Sequence, residues 1–373
     1  MTNSKKFKSA LLVSSLILGV AFSSSAYAVI DANGNEQVVT KTGTRGIAHN
    51  YITQSGRSNQ VLVNQDLSNS GYLNVYAEQR QGDNNKLSIT QAGVAGTSTS
   101  YTYPYYSNAN YVQAIEVGSS NNLAIKQIGS NLKTSAYITG SNNSVDISVA
   151  ASDRQKSNSG FSLTPGAAAT DRDDVQIQGD RNKVSLSRAA SNDSVSGILV
   201  GGNDNSASIS QKDAANSKAK IYARGSKNNF SISQRGESAL SNNLSASISF
   251  NDKPSGLGYY GMSDSNKSSI VQSGSDNQAS VDLGAESTAY ISSYSDKRGS
   301  SYSNTSSITQ SGNSNIAKIG QSGGFNNASI TQGGSFNTAS ISQVGVTNSI
   351  ASISQSGSYN STNIRQVASG LGR

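Results

Sequence analysis

The 373-residue sequence predicts an all-β fold, a β-solenoid of stacked strand-turn-strand repeats with about 22 residues per coil and about 11 per half. Three observations predict it. Glutamines stand at Gln310, Gln321, Gln332, Gln343, Gln355 and Gln366, in steps of 11, 11, 11, 12 and 11 residues. Glycines (Gly312, Gly323, Gly334, Gly345, Gly357) and asparagines (Asn315, Asn326, Asn337, Asn348, Asn360) follow in phase. Between them, polar and apolar residues alternate with a period of two.

That alternation defines the strands. In Asn337–Gln343, Asn337, Ala339, Ile341 and Gln343 share one face, and Thr338, Ser340 and Ser342 the other. The first face is narrow and suited to an interior; the second carries small hydroxyls. Val344-Gly345-Val346-Thr347 then interrupts the alternation, and its glycine permits a tight turn. A lone unit cannot bury its inner face, whereas stacking places each strand ~4.8 Å from its equivalents. A buried amide without a partner is costly. In a stack each amide donates to the next and accepts from the previous, so Gln and Asn are expected to form ladders that hold the register. The competing reading is an ordinary sheet with polar surface strands; five in-phase units favour the stack.

The rest of the chain divides around that array. Lys5, Lys6 and Lys8, an apolar run from Ala10 to Phe22, and Ala26-Tyr27-Ala28 read as a secretory signal over residues 1–28, cleaved after Ala28. The run is too short for a membrane span. Residues 29–50 are Gly- and Asn-rich and read as a flexible leader. Residues 51–303 carry a looser form of the repeat, with Gly-x-x-Asn turns at Gly118/Asn121, Gly140/Asn143, Gly179/Asn182, Gly202/Asn205, Gly225/Asn228 and Gly274/Asn277. Regular repeats fill 304–366, and 367–373 form a tail. Dividing the mature length by the period gives about 15 coils, fewer if insertions consume residues. Four stretches break the period: 94–110, 150–174, 251–265 and 284–303. They hold all 3 prolines, which cannot donate to a ladder, and are expected to bulge from the stack. No Asp or Glu occurs between Ser307 and Gln366, whereas the centre carries Asp171, Arg172, Asp173, Asp174, Asp180 and Arg181. Charges stacked on themselves oppose association, so the C-terminal repeats are expected to assemble faster than the middle.

Several kinds of chemistry find little support. Cysteine is absent and His49 is the 1 histidine, which excludes His/Cys zinc sites and cysteine nucleophiles. No phosphate-binding glycine loop occurs, and no cofactor is expected. Asp171, Asp173 and Asp174 read as a solvated loop in preference to a calcium site. The net charge of +7 would suit contact with anionic matrix polymers, but the simpler reading, an aid to solubility, is preferred, because no basic-aromatic run points to specific nucleic-acid binding. Tyr101, Tyr103, Tyr105, Tyr106 and Tyr111 form either an adhesive loop or a loop covering the stack.

The pattern Ser-x5-Gln-x-Gly-x-x-Asn-x-Ala-x3-Gln resembles the curlin repeat of curli-type bacterial amyloid subunits. Gln310, Gly312, Asn315, Ala317 and Gln321 match it, as do Gln332, Gly334, Asn337, Ala339 and Gln343. Ser349, Gln355, Gly357, Asn360 and Gln366 match a third time, with Thr362 in the alanine place; Asn304 and Asn326 stand where the first two units would carry the serine. The resemblance implies a non-enzymatic, secreted subunit that self-associates into extracellular fibres of a biofilm matrix. It also implies a nucleator subunit and an outer-membrane secretion pore as partners. The alternatives are a discrete monomeric β-solenoid adhesin and a minor nucleating subunit.

Overall fold

The computed structural model describes residues 24–43, 47–68, 72–93, 110–129, 132–150, 173–189, 196–212, 219–235, 245–250, 267–273, 278–283 and 301–367. They form strands and no helix. In chain order these are β1 (Ser24–Ile30), β2 (Glu36–Thr42), β3 (Ile47–Gln54), β4 (Gln60–Asp66), β5 (Tyr72–Arg80), β6 (Lys86–Ala92) and β7 (Asn110–Val117). Next come β8 (Asn122–Ile128), β9 (Lys133–Thr139), β10 (Ser144–Ala150), β11 (Asp173–Gln178), β12 (Lys183–Ala189), β13 (Gly197–Gly201) and β14 (Ser206–Lys212). Then follow β15 (Ile221–Arg224), β16 (Asn229–Arg235), β17 (Ser245–Phe250), β18 (Lys267–Ser273), β19 (Gln278–Leu283) and β20 (Ser301–Tyr302). The last are β21 (Thr305–Asn313), β22 (Ile316–Gly324), β23 (Asn327–Ser335), β24 (Thr338–Thr347), β25 (Ile350–Gln355) and β26 (Ser361–Val367).

Successive strands alternate between two 13-stranded sheets, so each strand pairs with the strand one coil away. The first sheet runs β1-β2-β4-β6-β8-β10-β12-β14-β16-β18-β21-β23-β25; the second runs from β3 to β26, with β20 off the path. Apart from β1, which is antiparallel to β2, these pairings are parallel. This is the expected β-solenoid. Leaving out β1 and β20, the two 13-stranded sheets give twelve coils where division by the period suggested about 15; the insertions consume the difference. At ~4.8 Å per coil the stack is roughly 58 Å long.

Register passes straight across the insertions. Ser144 of β10 pairs with Lys183 of β12, and Leu73 of β5 with Asn110 of β7. The breaking stretches therefore leave the ladder in phase on both sides. Up to β16 the short Gly-x-x-Asn turns all join the second sheet to the first, and the long connections at 93–110 and 150–173 join the first to the second. At β17–β18 and β19–β20 the long connections change sides.

The core lies between the sheets. Its rows repeat from coil to coil: Val61, Leu87, Leu123, Val145, Val184, Ala207 and Phe230 in one, Val63, Ile89, Ile125, Ile147, Leu186, Ile209 and Ile232 in the next, all buried. Cores built on a strand period of two need only every second residue to be apolar.

One expectation is corrected here. Residues 36–42 and 47–50, read as part of a flexible leader, are strand residues: β2 pairs with β4 from Glu36↔Gln60 to Thr42↔Asp66, and β3 with β5 from Ile47↔Tyr72. Their inner rows, Gln37-Val39-Lys41 and Ala48-Asn50, carry only Val39 and Ala48 as buried apolar residues, so the strand period is faint in the sequence.

Candidate assembly columns and end faces

The repeat places its polar residues in columns along the stack axis. In the first sheet the Gln310 Nε2 donates to Gln332 Oε1 at 2.8 Å, and Gln332 to Gln355 at 2.8 Å. In the second, Gln321 donates to Gln343 at 2.8 Å and Gln343 to Gln366 at 2.7 Å. Gln321 and Gln332 also donate to the carbonyl of the first residue of the strand opposite, Thr305 and Ile316, and Gln355 and Gln366 reach the corresponding carbonyls of Thr338 and Ile350. At Gln321 and Gln332 both protons of the amide are thus used. Every link donates toward the C-terminus, so the columns have a direction.

The asparagines bind the turns. Asn337 N–H donates to Asn315 Oδ1 at 3.1 Å, Asn360 N–H to Asn337 Oδ1 at 3.0 Å, and the Asn337 Nδ2 to Gly357 O at 2.9 Å. Glycine is required beside them because the backbones close up. A Cβ on Gly312 would lie 2.0 Å from Gly334 O, and one on Gly334 2.0 Å from Gly357 O, both at positive φ. At Gly323 the atom met is Val346 O, at 2.1 Å.

Two positions read as in phase are shifted by the single 12-residue step. Asn348 is exposed, with φ 53°, and Ser349 takes the column place instead, its N–H donating to Asn326 Oδ1 at 3.1 Å. Gly345 likewise lies one residue off its column. Val346 sits beneath Gly323, and Gly345 N–H donates to Ser322 Oγ, at a register shift between β22 and β24. The extra residue is absorbed as a bulge.

The columns reach far beyond the regular repeats. In the first sheet Gln65, Gln91 and Gln127 are linked at 2.9 and 3.0 Å, and Gln211, Gln234, Gln272 and Gln310 at 2.8 to 3.0 Å. Val149 and Arg188 stand between these runs. In the second sheet Gln54 donates to Gln79 at 2.9 Å and Gln79 to Glu116 at 2.7 Å. From there the column is apolar: Ile138, Ile177 and Val200.

The Gly-x-x-Asn corner carries a further ladder that the motif alone does not announce. Arg57 N–H donates to Asp83 Oδ1, Asp83 N–H to Ser119 Oγ, Ser141 N–H to Asp180 Oδ1 and Asp180 N–H to Asn203 Oδ1, at 2.7 to 3.1 Å. Beside it Arg181 bonds Asp204 in the next coil through Nε at 2.7 Å and NH2 at 2.9 Å. Central charges expected to stack on their own kind and repel are instead offset by neighbours of other kinds.

At the C-terminal end β25 and β26 each have one paired edge; of the inner row, Thr362 is exposed and Ile364 and Gln366 are half-buried. Ile350 is 74% and Tyr359 77% exposed, the latter stacked on Phe336 with centroids 5.0 Å apart. At the N-terminal end β3 has an open edge, and two of its inner acceptors, Asn50 Oδ1 and Gln54 Oε1, have no hydrogen-bond partner. The first sheet differs there. Lys41 occupies the glutamine column, its Nζ donating to Ala48 O at 3.0 Å, and β1 covers the edge of β2.

Of the tyrosines read as an adhesive loop, Tyr101, Tyr103, Tyr105 and Tyr106 lie outside the described residues. Tyr111 belongs to the strand β7 and is half-buried. Tyr51 and Tyr76, neighbours across β3 and β5, stack at 5.0 Å. Among the described residues no group of three His, Cys, Asp or Glu side chains is arranged to hold a metal, and no helix is long and apolar enough to cross a membrane. Of the three aspartates read as a solvated loop, Asp171 lies outside the described residues, and Asp173 and Asp174 are the first two residues of β11.

A stack of amide-laddered strand-turn-strand coils with open ends defines the class to which this fold and its columns belong. Within it, residues 334–367 match the model of the curlin associated repeat. No curated protein matches the chain.

Proposed function

We propose that this chain is a structural subunit that self-assembles into extracellular curli-type amyloid fibres, serving a biofilm matrix in adhesion and cell aggregation. The observation that carries the reading is the fit between the two ends. Laying β26 of one copy on β3 of another in parallel register sets Gln366 against Gln54, Ile364 against Ile52 and Thr362 against Asn50. The Gln366 Nε2 then donates to the orphan Gln54 Oε1, continuing the column in its own direction, and the Thr362 hydroxyl to the orphan Asn50 Oδ1. Such a contact is heterologous and does not close, so it builds filaments. The match of residues 334–367 to the curlin associated repeat supports the same reading. The proposed role is non-catalytic, with export by the signal at 1–28, a secretion pore and a nucleator subunit as partners, and anionic polymers as contacts for the +7 chain.

One feature favours the second reading, a discrete monomeric adhesin. Lys41 turns a charge inward on the first coil, a device that protects sheet edges. The experiment compares two chains lacking residues 1–28 by electron microscopy and Congo red. One is otherwise unchanged; the other carries Asn363→Pro. At strand starts the outer-row N–H groups donate to the following coil, as Gln60 does to Asn85 O and Lys86 to Asn121 O. The Asn363 N–H, an outer-row group of the last strand, therefore faces the open edge, and proline removes it without breaking the pairing to β24. The expected result is dye-binding fibres from the first chain and few or none from the second. A first chain that stays monomeric and dye-negative removes the fibre reading in favour of the adhesin.

A further inference from the structure

The second-sheet column contains one carboxyl among its amides. Glu116 of β7 is wholly buried, at 0% exposure. It sits where β5 carries Gln79 and β3 carries Gln54. Its Oε2 accepts from the Gln79 Nε2 at 2.7 Å, as a glutamine oxygen would. Its Oε1 has no hydrogen-bond partner. Below it stands Ile138, which has nothing to donate.

The neighbouring coils show what the orphan oxygen would be in a glutamine. Gln54 donates its Nε2 to the carbonyl of Glu36, the first residue of β2, and Gln79 to that of Gln60, the first residue of β4. The same relation for β7 points to the carbonyl of Lys86, the first residue of β6. An ionised carboxylate there would set a lone pair against a carbonyl oxygen; a carboxylic acid would set an O–H donor. A neutral carboxyl is thus the form that reproduces the amide on both sides.

We propose that Glu116 is an acid-operated lock on the N-terminal coils, entering the stack as the neutral carboxylic acid with its Oε1 hydroxyl donating to the Lys86 carbonyl. The proton comes from solvent on folding and returns to it on unfolding. Burial acts in the same direction, pushing this carboxyl up to about 8, and the Gln79 hydrogen bond offsets only part of that. Among the described residues no cation is placed to hold the charged form. Glu78 and Arg80 of β5 lie on the outer face and pair with each other, Lys133 and Tyr137 of β9 are outward, and Lys86 of β6 and Lys126 of β8 are exposed.

The direction of the pH effect follows. The folded chain holds this proton up to about pH 8, whereas the unfolded chain loses it near the ordinary carboxylate value of 4.5. Between those limits the folded state binds more protons, so stability falls as pH rises, by about tenfold in the folding equilibrium per pH unit. Below and above the window this group contributes no slope.

The test is equilibrium urea unfolding of the soluble chain lacking residues 1–28 at pH values from 5 to 9, for the wild type and Glu116→Gln. It needs no fibres, so it stands or falls apart from the proposed assembly. The wild type is expected to lose stability by about tenfold per unit up to pH 8 and Glu116→Gln to lose far less, becoming the more stable of the two at pH 8. Parallel slopes in the two proteins overturn the proposal. Infrared spectroscopy of the wild type at pH 6.5 guards against a variant that fails to fold. A protonated-carboxyl band in the folded chain, lost on unfolding in urea, supports the lock, and its absence overturns it.

Discussion

Gly334 and Gln332 show how closely the chemistry of one residue is tied to its place in the column. Gly334 has φ +96°, and a Cβ there would lie 2.0 Å from the carbonyl oxygen of Gly357. Gly334→Ala is expected to cost about 1–3 kcal/mol through backbone strain, with the clash added. The check is the urea midpoint of the variant beside the parent; an unchanged midpoint would mean the coils do not approach this closely. Gln332 was legible from its spacing, because an amide recurring every 11 or 12 residues on an inner face has few other uses. Asn348 was not. One inserted residue moved the column place to Ser349, and a serine hydroxyl gives little sign that it has replaced an amide. Glu116 was illegible for a related reason. Outside the regular array the period drifts, and nothing in a lone glutamate says which face of the strand it takes.

The strands differ in what they contribute to the columns. β22, β24 and β26 carry Gln321, Gln343 and Gln366 in a continuous amide ladder, whereas β9, β11 and β13 place Ile138, Ile177 and Val200 at the same level. An apolar column packs well, but it is non-directional and sets no register, whereas the amide ladder is directional. The C-terminal strands, laddered in both sheets, should therefore template their own kind more readily than the central ones, which keep the ladder only in the first sheet through Gln211 and Gln234. Peptides 305–366 and 151–250, followed by thioflavin fluorescence, test this. The C-terminal peptide is expected to assemble with the shorter lag, and faster assembly of the central peptide would contradict it. The sequence showed the C-terminal strands through their beat and the central ones through Gly-x-x-Asn. It hid β2 and β3, since their inner rows, Gln37-Val39-Lys41 and Ala48-Asn50-Ile52, depart from the repeat at the N-terminal end of the stack. The corner ladder through Asp83, Asp180 and Asn203 was hidden as well, because Asp, Ser and Asn accept the same N–H equally and share no letter.

Twelve coils with polar columns make a molecule whose two ends are unlike. One end presents β26 and the amide of Gln366; the other carries β3, with unpaired oxygens on Asn50 and Gln54, beside a first sheet in which Lys41 stands in the glutamine column and whose covering strand β1 lies mostly within the signal read at 1–28. In the proposed assembly, growth by end-to-end addition would have a direction, with the Lys41 side of the N-terminal face as the weaker partner in each junction. The whole rests on the phase of the repeat, more than on its composition. Fibre diffraction from two chains of identical composition addresses this directly: the natural one lacking residues 1–28, and one with residues 304–366 shuffled so that Gln, Gly and Asn lose their 11-residue spacing. The natural chain is expected to give fibres with a reflection at ~4.8 Å along the axis, and the shuffled chain to give none. Ordered fibres with the same reflection from the shuffled chain would contradict the account.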